Sequence, residues 1–142
     1  FIELADEINT NMPRYVMRKV AEALNEDSKP VRGSQVLILG VAYKADVDDV
    51  REAPALDIIQ LLTQQGAVVK YHDPHVPSIQ FDGVEMNSVD YDMIILESVD
   101  CVIIVTDHSY YNWDDILNNT NLVVDTRNAT MGSKGPARVV KI

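Results

Sequence analysis

Residues 36–42 read Val-Leu-Ile-Leu-Gly-Val-Ala, an unbroken apolar run rich in branched side chains. A run without polar alternation suits a strand covered on both faces, as in a parallel sheet with helices on either side. Such a strand reaches a parallel neighbour only through a crossover, usually a helix. The rest of the chain supplies that alternation. Pro54–Gln65 places Leu56, Ile59 and Leu62 on one helical face, with Pro54 suited to a first turn and Gly66 to a C-terminal cap. Ala67–His72 reads as a second strand stopped by Asp73-Pro74, and Asp100–Val105 as a third. Ser109–Asn119 carries Trp113, Ile116 and Leu117 at helical spacing, and Asn121–Asp125 is the last clear strand. Residues 75–90 read as irregular with a short strand at Val84–Met86, and Met93–Leu96 is too short for periodicity to separate helix from strand. The fold class that follows is α/β, a Rossmann-like parallel sheet with flanking helices.

The beginning of the chain has a different period. Phe1, Leu4, Ala5 and Ile8 share a helical face in a segment expected to end near Asn9. A second helix is expected from Asn11-Met-Pro13, where Asn caps and Pro fits the first turn, with Val16, Val20, Ala23 and Leu24 as its apolar stripe. Residues 25–34, NEDSKPVRGS, read as a linker. The expected organisation is a helical segment with its linker over 1–30 and the α/β domain over 31–142. The chain opens at Phe1, inside a periodic segment, so a fragment of a longer protein is expected.

Composition removes several classes. With 12 Lys+Arg against 22 Asp+Glu the net charge is −10, and no basic stripe is present to meet nucleic-acid phosphates. One cysteine forms no internal disulfide and no multi-thiolate zinc site. No apolar run approaches the ~18 residues of a membrane span, and no basic-then-apolar leader opens the chain. A soluble cytoplasmic protein without membrane or nucleic-acid partners is expected.

In open parallel sheets, ligands gather at the carboxyl ends of the strands near the point where strand order reverses. The residues that follow the strands are Tyr43-Lys44, Asp73, Thr106-Asp-His108 and Thr126-Arg127-Asn128. Lys44 and Arg127 are cations converging on one edge of an acidic domain, which points to an anionic ligand, with phosphate the natural candidate. The first turn, Gly40-Val-Ala-Tyr-Lys-Ala45, echoes a dinucleotide fingerprint, but Ala42 stands where a second glycine must let the pyrophosphate approach. The helix also starts late, so this turn is not an intact NAD site. Asp46, Asp48 and Asp49 lack the glycine and distal glutamate of a calcium loop. His72 and His75 have metal-like spacing but no third histidine or thiolate nearby, so no metal is expected. Asp73 is expected to anchor its turn or accept from a ligand hydroxyl, and His108 to line the cleft. Cys101 opens a buried strand without an activating neighbour and reads as a core residue.

Taken together, Gly40-Val-Ala-Tyr-Lys-Ala-Asp-Val-Asp-Asp-Val-Arg-Glu-Ala-Pro-Ala55 resembles the signature of the C-terminal domain of the UDP-glucose/GDP-mannose dehydrogenase family. Tyr71-His-Asp-Pro74, Val105-Thr-Asp-His108 and Val123-Val-Asp-Thr-Arg-Asn128 agree in order and spacing, and Glu7–Pro13 looks like the end of the family's central helical domain. His72–Pro77 and Asp125–Thr130 look most like members acting on UDP-N-acetylhexosamines. The resemblance implies an NAD-dependent, two-step oxidation of a sugar C6 alcohol to a carboxylate. It places NAD in a separate N-terminal domain and the catalytic cysteine in a Gly-Gly-x-Cys segment, neither of which is in this sequence. No catalytic residue is therefore expected here, and the isolated domain should be inactive.

Position by position, the resemblance implies nucleotide-sugar contacts for Tyr43 and Lys44, with Lys44 near the phosphates, and a substrate contact for Arg127. It implies that Arg51 reaches the NAD side of the domain cleft. The plainer alternatives are a solvated Lys44, an ion pair from Arg51 to Asp48 or Asp49, and one from Arg127 to Asp125. The implied partners are a UDP-sugar, the NAD-binding domain and a second copy paired through the N-terminal helices. A receiver-like module is the rival, but it needs an acidic pair after the first strand, where Val41-Ala-Tyr43 supplies none. A pure assembly domain using the Val16–Leu24 stripe is the other.

Overall fold

The computed structural model describes the backbone of residues 2–142 and the side chains from residue 11 onward. The face expected from Phe1, Leu4, Ala5 and Ile8 lies outside the described residues. The elements run α1 (Ile2–Glu26), β1 (Gln35–Leu39), α2 (Pro54–Gln64), β2 (Val68–His72), β3 (Ser78–Phe81), β4 (Val84–Asn87), α3 (Met93–Ser98), β5 (Cys101–Ile104), α4 (Trp113–Asn119), β6 (Leu122–Asp125) and β7 (Arg138–Lys141).

Five strands form one parallel sheet in the order β2-β1-β5-β6-β7. The chain leaves β1 for β2 on one side and later returns to β5 on the other, so strand order reverses between β1 and β5. Period-2 alternation assigns β1 to two cores. Val36 and Ile38 pack with the buried side chains of α1 and α2, while Leu37 and Leu39 pack with Leu96, Ile116 and Leu117 from α3 and α4.

Several expectations need correction. Residues 2–26 form one helix with Pro13 inside it, not two helices. A proline removes one backbone bond, and packing beyond it can carry the helix on. Val16, Val20, Ala23 and Leu24 are at most 3% exposed against the domain's own core, so this stripe is not open for pairing with a second copy. Arg138 of β7 fastens the helix end by donating to the Ala23 carbonyl and pairing with Glu26 and Asp27.

The short strand expected at Val84–Met86 is present as β4, but it pairs with β3 in an antiparallel hairpin over residues 78–87, where the rest was expected to be irregular. Asp82 and Gly83, at φ 46° and 77°, make the two-residue turn with both centres left-handed. Asn121–Asp125 is not the last strand, since β7 adds to the sheet edge. Its Arg-Val-Val-Lys sequence is short and charged at both ends, as exposed edges tend to be. The helix expected from Ser109 starts at Trp113, capped by Asn112.

Candidate functional site

The β1 and β5 ends meet at Gly40. It has φ +87°, and a Cβ there would lie 2.5 Å from both the Thr106 Cβ and its carbonyl oxygen. Only glycine allows that approach in this conformation. Thr106, fully buried, donates from its hydroxyl to the Ala42 carbonyl at 2.7 Å. Beyond Gly40 the chain forms an arch over residues 41–46 that carries Tyr43 and Lys44 on its exposed outer side.

The inside of the arch is filled by Asp73, 3% exposed at the end of β2. Its Oδ2 accepts from the N–H groups of Val41 and Ala42 at 2.8 and 3.2 Å and lies 2.7 Å from Nε2 of His108. Its Oδ1 accepts from the His75 N–H at 2.8 Å, which confirms Asp73 as the anchor of its turn. His108 is fully buried, which corrects its expected place lining a cleft. Its Nδ1 accepts from the Asp46 N–H at 2.9 Å, so the proton sits on Nε2 and is donated to Asp73. Asp46, at φ 63°, accepts from the Ser109 hydroxyl and N–H at 2.6 and 2.8 Å, and these bonds hold its carboxyl below the usual range.

Donor atoms of Asp46, His75 and His108 lie within 4.8 Å of one another. They do not fit a metal ion, because both nitrogens of His108 are already committed. His72 does not join them. It packs among Tyr91, Tyr110 and Tyr111, and burial lowers its pKa. Its Nδ1 donates to the Tyr111 hydroxyl, which in turn donates to the His72 carbonyl.

Arg127 reaches this region from β6. Its Nε donates to the Val105 carbonyl at 2.8 Å and its Nη2 to the Tyr43 carbonyl at 3.4 Å. The guanidinium thus spans the ends of β5 and β1 and touches the residue before Lys44. The alternative ion pair to Asp125 does not form. Asp125, fully buried, instead accepts from the backbone N–H groups of Arg127, Ala129 and Thr130 at 3.0, 3.1 and 2.9 Å, and from the Thr130 hydroxyl at 2.6 Å. Burial works to raise its pKa, but the donors outweigh it and hold the carboxyl below its ordinary value.

Arg51 pairs with Asp49 through two side-chain bonds of 3.0 and 2.9 Å, which push Asp49 down to about 2. The Arg51 side chain stays 87% exposed. With Tyr43, Asp49 and Glu52 it lines an open recess of about 330 Å³. Lys44 is exposed and has no ion pair among the described residues. Cys101 is buried, and desolvation pushes its thiol up to about 12, as suits a core residue.

Sequence reasoning missed the joint work of Asp73, His108, Asp46 and Ser109. The available signal was an acid and a histidine, each closely following a strand.

The family model described as the UDP-glucose/GDP-mannose dehydrogenase family, UDP binding domain, matches residues 37–132. A UDP-N-acetyl-D-mannosamine dehydrogenase of Methanococcus maripaludis is 33% identical over 137 residues, covering 90% of this chain and 30% of that protein. A UDP-glucose 6-dehydrogenase of Rickettsia bellii is 33% identical over 135 residues, covering 89% of this chain and 30% of that protein. Among solved structures, a UDP-D-ManNAc dehydrogenase from Pyrococcus horikoshii superposes with a TM-score of 0.82 at 26% identity, over 99% of this chain and 33% of that one. The chain therefore spans about 30% of the length of the curated relatives it matches.

Proposed function

The chain belongs to the UDP-glucose/GDP-mannose dehydrogenase family through its UDP binding domain, and from that membership we propose that it binds the nucleotide-sugar in an NAD-dependent UDP-sugar 6-dehydrogenase. The observation that carries this reading is the placement of the Arg127 guanidinium against the Tyr43 carbonyl, which brings it beside Lys44 although the two lie far apart in sequence. Two cations on adjacent loops at the strand-order switch suit a diphosphate: the guanidinium supplies directional donors and the ammonium a mobile charge. Tyr43, half exposed at 52%, offers an apolar ring and a hydroxyl beside them.

The turn itself does not fit NAD. The N–H groups that would cradle a pyrophosphate are held by the Asp73 carboxylate, and α2 starts only at Pro54. No step of the oxidation is assigned to this chain. The cofactor would lie in another domain of the intact protein, with exposed Arg51 as the residue of this chain nearest to it in function. The partners in this reading are a UDP-N-acetylhexosamine, that NAD-binding domain and a second copy. Pairing through α1 would have to use its exposed side, where Arg18 and Lys19 lie over Tyr15. A cytoplasmic location belongs to the same proposal. No described helix is long and apolar enough to cross a membrane.

Calorimetry on the 142-residue chain tests the reading. Weak binding of UDP with little binding of NAD is expected, and tight NAD binding without UDP binding would overturn it.

A further inference from the structure

We propose that His108 is a positioning residue for the anion site: one buried imidazole ties both ends of the 41–46 arch and so fixes where Tyr43 and Lys44 stand. The inference rests on the UDP-binding reading above and adds a determinant that does not itself touch the ligand.

The geometry is specific to an imidazole. Nε2 supports the start of the arch through Asp73, which holds the Val41 and Ala42 N–H groups. Nδ1 supports the far end directly by accepting from the Asp46 N–H at 2.9 Å. One ring nitrogen must donate and the other accept, so a single neutral tautomer serves both ends at once. The next residue, Ser109, closes the same end a second time through the Asp46 carboxylate. Asp46 has φ 63°, a left-handed conformation that costs a residue with a Cβ and persists only when its neighbours hold it. Lys44 lies between the two tied ends and has no side-chain anchor of its own among the described residues. Its ammonium therefore takes its average position from the backbone beneath it. A loosened arch would leave the charge present but spread over more space, and ordering it on binding would then cost more.

A double-mutant cycle reads this out in the intact protein, with UDP as the titrant and Kd and Tm measured for each variant. His108→Gln keeps a donor able to reach Asp73 but leaves the Asp46 N–H without an acceptor. It should weaken UDP binding about tenfold, a coupling of the size found within one hydrogen-bond network. Lys44→Ala alone should also weaken binding more than tenfold. In the Lys44→Ala background, His108→Gln should cost only about threefold or less, because no ammonium is left to place and only the Tyr43 contact remains to be loosened. Full additivity with a real Lys44 effect would make His108 a merely structural residue and overturn this inference alone. No effect of Lys44→Ala would overturn the anion-site reading together with it. Should His108→Gln not fold, Ser109→Ala removes the hydroxyl bond to the Asp46 carboxylate and loosens the same end of the arch from an exposed position. It should show the same loss of effect beside Lys44→Ala, and additivity there counts equally against the proposal.

Discussion

Asp125→Asn should destabilise the protein and weaken UDP binding through one turn. The wild-type carboxylate is surrounded only by donors: Oδ1 takes the Arg127 and Ala129 N–H groups, and Oδ2 takes the Thr130 N–H and hydroxyl. An asparagine offers one oxygen and one NH₂, so the NH₂ must face donors in either orientation. The less costly choice turns it toward Thr130, whose hydroxyl can rotate to accept while its N–H stays unpaired and buried. An unsatisfied buried donor costs ~1–3 kcal/mol, and the remaining bonds lose their charge assistance, while relief from burying a charge offsets part of this. A net loss of ~2–4 kcal/mol follows, or about 8–16 °C in Tm at ~4 °C per kcal/mol for a domain of this size.

The pH dependence gives a second check on the same substitution. The folded carboxyl titrates below its unfolded value of ~3.9, so its contribution is complete above that pH and disappears as pH falls through the folded value. Urea unfolding of wild type and variant should therefore differ most at neutral pH, with the difference shrinking only below about pH 4 and closing as pH falls through the folded value. A variant melting within ~1 °C of wild type at pH 7, or a difference that stays constant as pH falls from neutral through the acid range, would refute the reasoning.

Gly40→Ala should cost ~1–2 kcal/mol for a left-handed residue and ~1–3 kcal/mol for overpacking against Thr106; an unchanged melting temperature would show that the two strand ends can part freely. Arg127→Ala should weaken UDP binding more than tenfold, since a charge-assisted contact is worth ~1.5–3 kcal/mol and tenfold is ~1.4 kcal/mol, and Arg127→Lys should recover only part. Because Arg127 also braces two carbonyls, Tm is measured alongside, and a lower Tm with unchanged affinity would leave it a brace only. Cys101 should resist iodoacetamide in the native protein and react once urea exposes it; rapid native labelling would contradict its burial.

What was legible in the sequence follows from which physics is local. The apolar run at 36–42 and the helical faces of α2 and α4 carry their periodicity within a few residues, and the alternation of strand and helix fixes the α/β class. The β3–β4 hairpin was also locally encoded, in Asp82-Gly83, but the flanking strands are short and half exposed, which hides their alternation. Strand β7 was not legible because its pairing partner, β6, decides it more than its own four residues do. In the site, the positions of Lys44 and Arg127 after strands were readable. The use of Asp125 for backbone donors was not, because an acid beside an arginine in sequence suggests an ion pair. The five-residue separation of Asp125 and Thr130 gives no hint of their 2.6 Å bond. The Asp73–His108 pair joins residues 35 apart and exists only once β2 and β5 flank β1.

On the proposed reading, that pair lets a Rossmann-like turn serve a nucleotide without being a dinucleotide site. In a glycine-rich turn, backbone N–H groups and the following helix dipole bind the phosphates, so the main chain does the recognition. Here the Asp73 carboxylate occupies the first two N–H groups of the turn. A phosphate brought to that place would find its donors taken and a fixed like charge behind them. The overall charge of −10 makes an unassisted approach worse still. In the proposed nucleotide site, recognition therefore passes to side chains standing outside the arch. Asp49 neutralises Arg51 in a close pair, which leaves Lys44 and the outward part of the Arg127 guanidinium as the local positive charge. The same carboxylate that closes the turn to a dinucleotide holds the start of the arch in place, and through His108 it is linked to the arch's far end. In this proposal, excluding one ligand and placing the cation for another are two consequences of one buried charge.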